Sequence, residues 1–114
     1  MKNKVEKRRY PRVPLDWPVV VITPKGAIMG KTANISVNGL ALLLFLETPV
    51  IDDEFKITLK SSEGYEMSVT CQKLWSDIIN LDGYVYSGLG VRFIKISSSD
   101  RETIASIVGK YFLS

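Results

Sequence analysis

The sequence has no histidine and a single cysteine in 114 residues. Without histidine, the commonest general acid–base group and the commonest metal ligand are both missing. One cysteine excludes an internal disulfide and any cysteine-cluster zinc site. Long apolar runs are also missing. The strongest, Leu40 to Leu46, is far shorter than the ~20 residues that a membrane-spanning helix needs. No apolar stretch follows the basic N-terminus, so no signal peptide is legible and the expected location is cytoplasmic. There is no glycine-rich phosphate loop ahead of a helix, and no base to activate Ser36 or Cys71. Asp52-Asp53-Glu54, between a proline and a strand, reads as a solvated turn. An enzyme is therefore not expected, and no catalytic or metal-binding residue is assigned.

What is present is ordinary globular material, 46% hydrophobic and 24% charged, enough for one domain with a real core. The net charge of +3 conceals an asymmetry. Residues 1–12 carry Lys2, Lys4, Lys7, Arg8, Arg9 and Arg12 against Glu6, a local +5, which leaves −2 for the remainder. The chain reads as a flexible basic arm over residues 1–14 and a mildly acidic body over residues 15–114.

The body carries strand signals. Trp17–Thr23 contains the β-branched run Val19 to Ile22 and ends at Pro24-Lys25-Gly26, a turn signal. A second run covers roughly Ala27 to Ile35. Asn38-Gly39 then offers a turn of positive φ before Leu40–Leu46. Phe55, Ile57 and Leu59 alternate with lysine and threonine. Tyr65, Met67, Val69 and Cys71 alternate with polar residues after the hairpin signal Ser62-Glu63-Gly64. Cys71 thus reads as a small core residue. In the last run, Tyr84 to Ile96, Leu89, Val91 and Phe93 share one face and Gly88, Gly90 and Arg92 the other.

Ser99-Asp100-Arg101-Glu102 matches a capping box. Ile104, Ile107, Val108 and Tyr111 follow at helical spacing, which predicts a helix over about residues 100–112. Six short strands with tight turns and one terminal helix predict an all-β fold, a six-stranded antiparallel barrel with a C-terminal helix. Leu40–Leu46 is apolar on both faces, so its outer face needs a cover: the helix or another protein chain.

Two motifs carry function. Arg8-Arg9-Tyr10-Pro11-Arg12 spaces two arginines four apart with a third between them. Each guanidinium is a fork of donors suited to a phosphate or a guanine edge. Asn34-Ile35-Ser36-Val37-Asn38-Gly39 places an amide and a hydroxyl on one face of a strand end ahead of a glycine. Read separately, these are a basic tail and a polar hairpin end. Together, in this order, and with Leu74-Trp75 and Gly88-Leu89-Gly90-Val91-Arg92-Phe93 further along, the chain resembles the PilZ domain over nearly its whole length.

The resemblance implies a six-stranded barrel that binds the bacterial second messenger cyclic di-GMP. Arg8 and Arg12 match the family's paired arginines and would grip phosphates and guanine edges, with Arg9 an added contact. Asn34, Ser36 and Gly39 match the second motif and would hold a guanine and the turn beneath it. Trp75 matches a tryptophan that lies near the ligand in some members. The reading is a receptor whose arm becomes ordered on the ligand and whose changed surface a protein partner reads. The alternatives are a small nucleic-acid-binding barrel with a basic arm, which the acidic body and scattered lysines disfavour, and an adaptor that binds protein alone.

Overall fold

Alternating side chains give each strand one apolar face, and the six strands bury those faces by closing on one another. The structure, a computed structural model, describes residues 12–45 and 51–113. The strands are β1 (Pro18–Thr23), β2 (Gly26–Ile35), β3 (Gly39–Leu44), β4 (Glu54–Lys60), β5 (Glu66–Leu81) and β6 (Tyr84–Lys95), followed by helix α1 (Ser98–Leu113). They pair in the order β1-β2-β3-β6-β5-β4 as a closed barrel, with β4 returning to β1 and every pair antiparallel. Closure leaves no sheet edge along the barrel wall. The expected fold class is the one observed.

The interior follows the predicted alternation. Phe55, Ile57 and Leu59 of β4, Met67, Val69 and Cys71 of β5, and Leu89, Val91 and Phe93 of β6 all point into one core. Val19 and Val21 of β1 and Leu40, Leu42 and Leu44 of β3 complete the wall, and Ile104 and Val108 of α1 pack onto it. Loss of water around Cys71 pushes its thiol up to about 12.

Three elements differ from expectation. First, β5 runs on to Leu81 and returns to β6 through Asp82-Gly83, which have φ of 52° and 84°. Asp-Gly is a strong signal for such a hairpin turn. The preceding run Ser76–Leu81 hides it because it does not alternate. It has no need to: β3 pairs with β6 only as far as Ser87, so the end of the ribbon is wet on both faces. Second, α1 is capped by Ser97 rather than Ser99. The Asp100 N–H donates to Ser97 Oγ at 3.0 Å, and the helix begins two residues earlier than read. Three consecutive serines offer equivalent caps in sequence, and the packing of Ile96, Ile104 and Ile107 against the core sets the phase. Tyr111, read as part of the buried face, is exposed and meets Phe112 edge to face at 5.3 Å.

Third, the outer face of β3, expected to need a cover, meets the N-terminal segment of the same chain. Leu43, on the outer side of β3, shares a shallow cavity with Pro14, Leu15 and Asp16. That N-terminal segment is held by polar contacts on β2. Val13 exchanges backbone hydrogen bonds with Ile35 at 2.8 and 2.9 Å and is fully buried. The Thr32 hydroxyl accepts from the Trp17 N–H at 2.8 Å and donates to the Leu15 carbonyl. Residues 13–17 thus prolong the β1 side of the ladder, and Val13 belongs to the core.

Two outcomes test this packing. Thr32→Val keeps the shape but strands the Trp17 N–H and the Leu15 carbonyl, so it should cost about 1–3 kcal/mol in a urea melt. A wild-type melting curve would show that the hydroxyl does not hold the segment. Cys71 should resist iodoacetamide at pH 8 in the native protein and react promptly in denaturant, because its thiol stays protonated while buried.

Candidate ligand-binding site

In a closed barrel the parity of a residue decides whether it faces the core or the water. Three register shifts break that parity, and two of them build the site. In β2, Thr32 lies opposite Leu42, yet the next pair is Asn34 with Ala41; Ala33 is the extra residue. Unbroken alternation would send Asn34 inward with Thr32. The bulge turns it out. In β5, Lys73 lies opposite Val91 and Trp75 opposite Gly90, with Leu74 the extra residue. This second bulge turns Trp75 out as well.

Asn34, Ala41, Gly90 and Trp75 therefore form one row across β2, β3, β6 and β5, all on the outer face. The row spans three inter-strand spacings, roughly 14 Å. Its centre is low because Ala41 and Gly90 are small. A Cβ on Gly90 would stand 1.9 Å from Trp75 Nε1, so the indole lies directly over that glycine. Ile79 covers Gly88 in the same way. Trp75 is 42% exposed and is not a core residue; the core tryptophan is Trp17, 3% exposed, whose Nε1–H has no hydrogen-bond partner among the described residues.

Arg12 stands at the Asn34 end of the row. It immediately precedes Val13, so the Val13–Ile35 bridge fixes where the arm leaves the barrel. Arg12 Nη1 lies 3.5 Å from Asn34 Oδ1, a long donor–acceptor distance. Arg8 and Arg9 lie outside the described residues.

Ser36 and Gly39 have local tasks. The buried Ser36 hydroxyl accepts from the Asn38 and Gly39 N–H groups and donates to the Gly39 carbonyl, each at 3.2 Å. It closes the turn between β2 and β3. That closure replaces the expected positive φ: among the described glycines only Gly26, Gly64 and Gly83 are left-handed. Gly39 answers a steric demand instead, since a Cβ there would meet the Val91 carbonyl at 2.2 Å. Asn38 likewise has an ordinary φ.

One further residue joins the site. Arg92 lies opposite Gly39 and Gln72 in the neighbouring outer row, exposed, and its Nε donates to Gln72 Oε1 at 2.5 Å. Its outward parity with Gly88 and Gly90 was the available signal. The face thus combines two guanidinium groups, an amide, a flat indole and a floor without side chains. It suits an anionic ligand with planar rings. Among the described residues, no cluster of histidine, cysteine or carboxylates could hold a metal ion.

Gly90→Ala should evict the indole. The barrel should stay folded, since Trp75 is at the surface, while its emission moves to longer wavelength and quenches more readily with acrylamide. Unchanged emission would show that the ring does not rest on Gly90.

The fold has known counterparts. The PilZ domain of YcgR from Escherichia coli, solved with c-di-GMP, matches with a TM-score of 0.76 at 16% identity, covering 91% of this chain and 90% of that one. The MrkH–c-di-GMP complex of K. pneumonia matches with a TM-score of 0.76 at 23% identity over 93% of this chain and 52% of that one. MotI/DgrA of Bacillus subtilis, an inhibitor of motility, matches with a TM-score of 0.75 at 14% identity over 99% and 53%. The chain spans about half the length of MotI and MrkH. No curated protein matches it significantly by sequence. A family model for the PilZ domain matches residues 6–110, and the chain belongs to the PilZ domain family.

Proposed function

We propose that the chain is a receptor for cyclic di-GMP that acts on a protein partner and performs no chemistry of its own. The observation that carries this is the bulge-aimed row from Asn34 to Trp75, with Arg12 held at its Asn34 end. Two structural relatives were solved with the same nucleotide.

The roles follow from chemistry. The ligand carries two phosphates and two guanines. Arg8 and Arg12 grip phosphate oxygens and guanine edges through bidentate charge-assisted bonds, and Arg9 adds a third cation. Asn34 hydrogen-bonds a guanine edge, Ser36 and Gly39 keep the turn beneath it, and Trp75 stacks on a ring. Arg92 supplies positive charge on the β6 side. The sequence reads as an arm over residues 1–14, but Val13 is buried and bridged to Ile35, so the arm that can reach over the trough is residues 1–12, starting from the Val13 anchor. From Arg12 to Arg8 an extended chain reaches at most ~14 Å, about the length of the row, so one arm can cover the whole trough. Ordering it costs conformational entropy, offset by the charge-assisted bonds. The covered arm presents a changed surface to a partner, in the cytoplasm where a second messenger circulates. Control of motility is one such output, as the name of MotI suggests for that protein.

Isothermal titration with cyclic di-GMP should give saturable heat at ~tens of micromolar ligand or below. Arg8→Ala and Arg12→Ala should each weaken binding about tenfold or more, the equivalent of losing a ~1.5–3 kcal/mol charge-assisted bond. Absence of heat in the parent chain would overturn the assignment.

A further inference from the structure

The third register shift in the barrel aims a residue that the ligand site does not use. Phe93 lies opposite Cys71, and the next pair is Lys95 with Thr70, so Ile94 is the extra residue. Unbroken alternation would send Lys95 inward beside Phe93. The bulge puts it on the outer face, in a row with Thr70 and Lys56 across β6, β5 and β4. The two lysine Cα positions are roughly 10 Å apart, two inter-strand spacings. Arg101, from the first turn of α1, faces the same open groove of about 560 Å³. Ser68, Thr70 and Ser97 add hydroxyls, and no carboxylate among the described residues lines it.

Lys56, Lys95 and Arg101 are three of the nine cations in residues 13–114. None of the three forms an ion pair or a side-chain hydrogen bond among the described residues. Three uncompensated cations in one concavity repel each other and favour an anionic occupant. The groove's chemistry narrows that occupant. The first-turn N–H groups of Asp100 and Arg101 are already taken by Ser97, by its Oγ and its carbonyl, which leaves a lone phosphate fewer backbone donors there. No aromatic side chain among the described residues lines it, so single-stranded nucleic acid finds no stacking platform there. An extended acidic peptide fits better. Its alternate carboxylates, roughly 7 Å apart, match flexible lysines two strands apart, and Ile94 and Ile96 offer an apolar strip beneath its backbone.

We propose that this groove docks an extended acidic segment of the protein partner. The proposal names the chemistry of the partner that the receptor reading calls for. Its site is separate from the ligand trough but shares a strand with it, because Lys95 and Gly90 both belong to β6.

The test is fluorescence anisotropy of a dye-labelled peptide of alternating glutamate and valine on the full chain, at low ionic strength, with and without cyclic di-GMP. Lys56→Gln with Lys95→Gln should weaken binding about fivefold or more, since each partly screened pair contributes ~0.5–1 kcal/mol. Lys25→Gln with Lys110→Gln removes the same charge elsewhere, keeps the same arm, and should change binding less than about twofold. Equal losses in the two double variants would overturn the proposal. So would stronger competition from a single-stranded oligonucleotide or inositol hexakisphosphate than from unlabelled peptide. Titration of the groove variant with cyclic di-GMP separates the two claims: retained nucleotide heat without groove-dependent peptide binding refutes the groove alone.

Discussion

A strand in a closed barrel offers its residues two directions only, and which one each takes is fixed by parity. That constraint makes the core: the alternate residues of β1, β3, β4, β5 and β6 that point inward are nearly all apolar and meet in one cluster. It also limits the outside, because a row of functional side chains can face water only where the register allows it. The barrel meets this limit with bulges. Ala33, Leu74 and Ile94 are inserted residues, and each reverses the direction of the polar or aromatic residue that follows: Asn34, Trp75 and Lys95. Without the inserted residues, an amide, an indole and an ammonium would be forced into the core, at a desolvation cost of several kcal/mol for the charge alone.

The N-terminal segment depends on the same framework. Val13 gives its side chain to the core and its backbone to Ile35, and the Thr32 hydroxyl bonds the backbone on either side of Asp16. The arm is thereby tethered one residue from the motif it must work with. A tether of this kind raises the effective concentration of the arginines at the proposed site. It brings the end of R-x-x-x-R, at Arg12, next to Asn34 of N-x-S-x-x-G, some twenty residues away in sequence. Glycine plays a complementary part. Gly90 leaves room for the Trp75 ring, and Gly39 lets β3 approach the β6 carbonyl of Val91.

The barrel was legible in the sequence because its core strands alternate: Phe55-Ile57-Leu59 and Met67-Val69-Cys71 state their faces outright. The pairing order is consistent with that pattern but is not contained in it. What could not be read is what breaks the pattern. No local feature distinguishes Ala33 or Leu74 as an inserted residue, so the strand pattern alone showed neither the outward turn of Trp75, which only the family resemblance implied, nor the burial of Trp17. The turn chemistry was half visible. Ser36 and Gly39 were marked as a pair, but a hydroxyl aimed at a ligand and one that closes its own turn look identical in sequence. Asp82-Gly83 was the clearest missed signal, obscured by the wet, non-alternating ribbon before it. The Ile94 bulge also shows why Lys95 joins Lys56 and Arg101, distant along the chain, at one groove.

The central claim is that the arm, the Asn34–Gly39 turn and the Trp75 ring form one nucleotide site. Backbone and indole ¹⁵N resonances followed during addition of cyclic di-GMP address it most directly. The account predicts that the amides of residues 8–12 and 34–39 and the Trp75 Nε1–H shift together along a single saturation curve, while the indole of Trp17 stays still. Shifts confined to one of these groups, or centred on another face of the barrel, would contradict it.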